Sequence, residues 1–177
     1  MPVSGSSFDF MRPFPRRLFV LLCILLPVQA MAKDRTLIGW IEKVRIYPSD
    51  MEFKAKIDSG ALTSSINAEN IVEFERDGDE WVQFDIINKN GVRSTLELPL
   101  VRESIIKRHF GRKQKRLVVK LGICLGNIYK ETEVNLVDRH GFLYAILIGR
   151  RFLKKDFIID PSEQFTSPPK CQMPEDA

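Results

Sequence analysis

From Thr36 to Asp160 the chain reads as short apolar runs separated by turn residues, many of them alternating in twos rather than at helical spacing. Thr36 to Ile46 is the first run, ended by Pro48. Phe53-Lys54-Ala55-Lys56-Ile57 alternates apolar and basic residues, as a strand with one buried face does. Leu62 to Ala68 continues beyond a small turn. Ile71 to Glu75 and Trp81 to Ile87 flank Asp77-Gly78, a strong hairpin signal. Asn90-Gly91 is a second one, followed by Val92 to Leu98. Leu117 to Ile123 and Ile128 to Val137 form another pair around Gly126-Asn127. His140-Gly141 turns into Phe142 to Ile148, whose unbroken apolar character predicts a strand buried on both faces. Gly149 to Lys155 predicts one short helix, and Phe157 to Pro161 a last strand and its stop. Pro168, Pro169 and Pro174 predict a disordered tail over residues 163–177. The whole predicts an all-β sandwich or barrel, a single domain over residues 33–162 without internal repeat.

The N-terminus has a different character. Arg12, Arg16 and Arg17 precede the apolar stretch Leu18 to Leu26, Pro27 breaks it, and Ala30-Met31-Ala32 supplies an A-x-A cleavage site. Those three regions in that order predict a secretory signal peptide over residues 1–32, and hence a periplasmic mature protein. The apolar run is short for a membrane span, with an uncleaved anchor as the alternative. Leu22 is too large for a lipoprotein box around Cys23.

Removing that segment changes the charge balance. The 27 basic and 23 acidic residues lose three arginines and Asp9, leaving 24 and 22, a net charge of +2. So small a surplus argues against nucleic acid as a partner. Cys124 and Cys171 remain in the mature part. In an oxidising compartment they form either a single disulfide tying the tail to the domain or two separate thiols.

The candidate chemistry is Asp58-Ser59-Gly60, directly after the alternating run 53–57. A hydroxyl residue and a glycine after an aspartate let a tight turn hold a carboxylate at a strand end, as aspartic peptidases do. Asp, Ser and Gly are also common turn formers, and such a triplet arises by chance roughly once in ten chains of this size. Context therefore decides. No second D-[S/T]-G occurs in the chain, and an aspartic peptidase needs two carboxylates, so one copy per chain requires a homodimer with the site on its two-fold axis.

The surrounding blocks carry a resemblance. Gly39-Trp40 comes first, then Ala55-Lys56-Ile57-Asp58-Ser59-Gly60-Ala61-Leu62-Thr63-Ser64-Ser65-Ile66-Asn67-Ala68. Asp77-Gly78 with Trp81-Val82-Gln83-Phe84 follows, then Gly111 through Arg116-Leu117-Val118-Val119, Leu147-Ile148-Gly149-Arg150, and Ile159-Asp160-Pro161. In that order, over about residues 38 to 162, the chain resembles the retropepsin-like family named as ATP-dependent zinc proteases of the RimK-associated type. These are bacterial proteins often encoded near ATP-grasp amino-acid ligases. Departures are mild: Ser59 stands where threonine is usual, Asn67 where histidine is frequent, and Leu117 where proline is common.

The resemblance implies a retropepsin-like acid-protease barrel with one short C-terminal helix. It implies Asp58 as the catalytic residue, in a loop with Ser59, Gly60, Ala61 and Thr63, and Gly149 and Arg150 as structural support beneath it. In such a dimer two close carboxylates share one proton; one activates water and the other polarises the peptide carbonyl. Ser59 would brace the two loops across the axis. Arg150 either pairs with a carboxylate near the loop and stabilises the dimer, or is an exposed arginine at the helix start. The expected substrate is a peptide or protein, with a glutamate-rich peptide as a narrower option suggested by the gene neighbourhood. The zinc and ATP of the family label find no counterpart: there is no H-E-x-x-H, no P-loop, and His109 and His140 are the only histidines, so no metal or cofactor is expected. Thr63, Ser64 and Ser65 are read as fixing the loop, because a serine nucleophile would need a histidine base.

The basic run Ile105 to Arg116 stays open three ways. It is a substrate-covering flap, or a patch at Lys107 to Arg116 for an anionic or membrane-associated partner, or a solvated loop. The alternative to catalysis is a non-catalytic scaffold of the same fold, binding a peptide or a membrane protein as a monomer.

Overall fold

The computed structural model describes residues 1, 34–106, 114–139 and 141–172. The expected signal peptide, His109, His140 and the centre of the basic run lie outside the described residues.

Among the described residues eleven strands and one short helix follow one another. They are β1 (Thr36–Tyr47), β2 (Met51–Ile57), β3 (Ser64–Asn67), β4 (Glu69–Arg76), β5 (Asp79–Ile87), β6 (Arg93–Pro99), β7 (Arg102–Ile106), β8 (Gln114–Leu125), β9 (Ile128–Val137), β10 (Ile146–Ile148), α1 (Arg150–Leu153) and β11 (Phe157–Gln164). The large sheet runs β11-β1-β2-β10-β3-β9-β8-β7, and a further pairing of β1 with β8 closes six of these strands into a barrel. β4, β5 and β6 form a separate antiparallel sheet. The all-β barrel with a single short helix is therefore the architecture that the sequence predicts.

Periodicity explains the barrel wall. β2 buries every second residue, with Phe53, Ala55 and Ile57 in the core and Glu52, Lys54 and Lys56 in solvent. Asp77 and Gly78 take φ values of +55° and +84°, the left-handed pair that a tight β4–β5 hairpin needs. Phe152 of α1 is wholly buried and stacks on Phe157 at 5.7 Å, which seats the helix on the barrel.

Four expectations change. Phe142 to Ile148 is not one buried strand: only Ile146–Ile148 is, while Phe142 and Leu143 are 65% and 85% exposed. The guanidinium of Arg139 lies 4.7 Å over the Phe142 ring, and Gly141 at φ +83° turns the chain there. Ile105 and Ile106 are not loop but the end of β7, paired with Lys115 and Gln114. Pro161 does not stop the last strand. β11 is an edge strand paired with β1 alone, and its register slips after Asp160, so a residue without an N–H is tolerated there.

The fourth concerns the tail. Residues 165–172 lie along the barrel despite their prolines, and the domain limit expected at residue 162 falls inside β11. The amide of Phe165 donates to the Ile41 carbonyl, and that of Lys170 to the Gly126 carbonyl at 2.6 Å. Cys124 and Cys171 form a disulfide. Glu42, fully buried, accepts from the Gly39 amide at 2.6 Å, the Thr166 hydroxyl at 2.6 Å, and the amides of Thr166 and Ser167. Gly39 is glycine because a Cβ there would meet the Glu163 carbonyl oxygen at 2.3 Å.

Candidate active site

Asp58 sits where β2 leaves the barrel, its amide donating to the Ile148 carbonyl of β10 at 2.9 Å. Its Oδ1 accepts the amides of Gly60 at 2.8 Å and Ala61 at 3.1 Å. This turn folds the next three residues around the carboxylate. A Cβ on Gly60 would lie 3.1 Å from that same oxygen, so the smallest residue suits the turn.

The loop rests on the end of β10 and the start of α1. The Gly149 amide donates to the Ser64 hydroxyl at 3.0 Å, and the Arg150 and Arg151 amides donate to the Ala61 and Leu62 carbonyls at 2.9 and 3.0 Å. Helix-start amides that lack intrahelical partners are thereby satisfied by the loop. Gly149 admits this contact: a Cβ there would stand 2.7 Å from the Thr63 carbonyl carbon. Asn135 of β9 donates from Nδ2 to the Ser64 carbonyl at 3.1 Å.

Arg150 does something other than the expected pairing with a carboxylate. Its Nη1 donates to the carbonyls of Ser59 at 2.7 Å and Gly60 at 3.0 Å. The guanidinium thus ties down both residues that follow Asp58.

Two groups escaped the sequence reading. Arg139 donates from Nε to the Tyr144 carbonyl at 3.1 Å and from Nη1 to the Ser65 hydroxyl at 3.3 Å, and its amide donates to Asn67 Oδ1 at 2.6 Å. Burial pushes this guanidinium below its ordinary value, and the negative charge of Asp58 opposes that. A lone arginine before a His-Gly turn carries no motif that marks it. The second group is a basic pocket of about 430 Å³ beside Ala61, Leu62 and Thr63, lined also by Arg102, Arg116 and Arg151. The three arginines come from β7, β8 and α1, so no sequence window contains them together. Arg102 donates to Glu133 Oε2 from Nε at 3.1 Å and Nη2 at 2.6 Å, and Arg151 donates to the same oxygen. The Arg102 hydrogen bond is the main reason that the Glu133 carboxyl is held below its ordinary range.

Among the described residues no three His, Cys, Asp or Glu side chains converge.

A family model described as retropepsin-like aspartic endopeptidase RimB matches residues 37–170, which include the Asp58 loop, Gly149 and Arg150. The chain belongs to the RimB-like family. Among this RimB-like chain's curated relatives are two named probable alpha-L-glutamate ligase. One, from Shewanella pealeana, is 39% identical over 115 residues, covering 63% of this chain and 25% of the relative. The other, from Desulfotalea psychrophila, is 37% identical over 114 residues, with the same coverage. The chain thus matches about a quarter of the length of these relatives. Among solved structures, a crystal structure of a Legionella pneumophila protein of unknown function is similar, with a TM-score of 0.65 and 32% identity. That match covers 75% of this RimB-like chain and 98% of the other.

Proposed function

We propose that the protein is an exported aspartic endopeptidase whose active site forms when two copies bring their Asp58 loops together. The observation that carries this reading is the Asp58 carboxylate in a loop fixed by its own amides and by Arg150, on a fold of the retropepsin-like family. With one D-S-G per chain, the second carboxylate comes from a second copy. Two adjacent carboxylates share a proton; the ionised one draws a proton from water, and the protonated one hydrogen-bonds the scissile carbonyl. The water oxygen adds to the carbonyl carbon, and the amide C–N bond then breaks as the nitrogen takes a proton. The Ser59 hydroxyl braces the two loops. The Ala30-Met31-Ala32 cleavage signal and the Cys124–Cys171 disulfide support a periplasmic location.

The pocket beside the loop supports an acidic substrate. Arg102 and Arg151 share one oxygen of Glu133, and Arg116, at the end of the basic run, adds a third guanidinium to the lining. Guanidinium forks suit carboxylates. The relatives' name, a glutamate ligase, makes a glutamate-rich peptide the first substrate to test.

The test is a library of unfolded peptides at mildly acidic pH, with glutamate-rich members and their glutamine counterparts. Cleavage abolished in Asp58→Asn, together with self-association by sedimentation, is expected. Equal turnover by wild type and Asp58→Asn, or a strict monomer with and without peptide, would refute the dyad and favour a non-catalytic binding module.

A further inference from the structure

The C-terminal segment is wrapped onto the first strand of the barrel rather than onto its neighbours in sequence. Phe165 donates to the Ile41 carbonyl, the Ser167 hydroxyl to the Leu37 carbonyl at 3.3 Å, and Thr166 and Ser167 bind Glu42. Every one of these partners lies on β1, between Leu37 and Glu42. The segment then crosses to β8, where Cys171 is bonded to Cys124.

Glu42 makes this strap more than packing. It is fully buried, and its described partners are the Gly39 amide on its own strand and three groups of the strap. A buried carboxylate that loses its donors is strongly unfavourable. If the strap leaves, Glu42 must draw water into β1 or turn outward, and either disturbs the strand. β1 in turn faces the site. Ile41 pairs with Lys56, two residues before Asp58, and the Trp40 ring meets Tyr144 at 6.5 Å, whose carbonyl holds Arg139.

We propose that residues 165–171 form a redox-released clamp on β1. With the disulfide closed, strap, Glu42 and β1 are locked and the Asp58 loop is supported. A dithiol reductant opens the clamp. Its thiolate attacks the part-exposed Cys171 sulfur, the S–S bond breaks, and Cys124 leaves as a thiolate that takes up a proton. The second thiol of the reductant resolves the mixed disulfide; the reductant ends as a disulfide, and both cysteines end as thiols. The strap is then held only by its hydrogen bonds and by the Lys54 ammonium over the Phe165 ring, and it opens locally. A copy kept in a reducing compartment is unclamped, and export closes it.

Hydrogen exchange on the full mature chain tests this, oxidised and after reduction with dithiothreitol. A chain ending at Gln164 serves as the strapless reference. Reduction should raise exchange at Gly39, Phe165, Thr166 and Ser167 by at least about 10-fold while Val119 and Val134 of the barrel wall keep their protection. Gly39 in the truncated chain should exchange as in the reduced one. Unchanged protection after reduction would overturn the clamp. Simultaneous loss at Val119 and Val134 would also overturn it, showing a staple of the whole domain. Both readouts are independent of peptide cleavage.

Discussion

Arg150 grips the carbonyl of Ser59 at 2.7 Å and that of Gly60 at 3.0 Å, so one exposed guanidinium holds the two residues after Asp58. A charged hydrogen bond contributes about 1.5–3 kcal/mol when sheltered, but at an exposed site about 1 kcal/mol or less survives. The loss should therefore appear in catalysis more than in stability. Arg150→Ala is expected to lower peptide turnover by about 10-fold or more with little change in the unfolding midpoint. Arg150→Lys should recover only part, since an ammonium lacks the fork that spans both carbonyls. Parallel turnover and thermal-unfolding measurements check this. A large drop in midpoint with turnover intact would assign Arg150 to the fold instead.

Gly149 makes the opposite prediction. Its missing Cβ leaves room for the Thr63 carbonyl carbon, which a methyl would approach to 2.7 Å. Backbone atoms on both sides cannot move aside as a side-chain tip can. Gly149→Ala should cost about 1–3 kcal/mol in urea denaturation and also displace the Asp58 loop. Stability equal to wild type would show that β10 and the loop are further apart than the structure places them.

The β4–β5–β6 sheet carries a pH signature away from the site. Hydrogen bonds from Thr95, Asn70 and Arg93 hold the Asp85 carboxyl down at about 2, against an ordinary 3.8. A carboxyl lowered in the folded state stabilises above its unfolded value, and that contribution is lost as pH falls through the folded one. Wild type should therefore exceed Asp85→Asn in unfolding midpoint from neutral pH down to about 4, and the gap should close between about 4 and 2. A gap that stays constant with pH would mean that the ionised carboxylate is not what the network stabilises.

Local pattern made much of this architecture legible. The alternation from Phe53 to Ile57 sets one face of β2 inward, and Asp77-Gly78 sets a turn, because both depend on neighbours in sequence. The D-S-G turn is likewise local, as its amides bond back within three residues. What was not legible depends on distant partners. Phe142 and Leu143 look like core residues until Arg139 and Gly141 turn them outward. Pro161 reads as a stop unless β11 is known to be an edge. The tail reads as disordered because Glu42, more than 120 residues earlier, holds it. Arg150 was marked as support, but its partner is backbone, which sequence cannot single out.

The proposed dimer makes the most demanding prediction, because it concerns two chains. If each active site takes one Asp58 from each copy, a single Asp58→Asn chain inactivates the pair it joins. When wild type and Asp58→Asn are unfolded together and refolded in equal amounts, random pairing leaves about a quarter of the pairs with two aspartates. Activity per total protein should fall to about one quarter of that of wild type alone, not to one half. Dilution supplies a second arm: below the dissociation constant, the rate should fall with the square of chain concentration. A Gln164-truncated or Gly149→Ala chain is unsuitable as the inactive partner, because altered folding would confound the pairing. Asp58→Asn keeps the shape of the side chain, and its remaining carbonyl oxygen can still accept the Gly60 and Ala61 amides. A linear response, with half the activity at equal mixing, would place a complete site in one chain and require a second acid from within it.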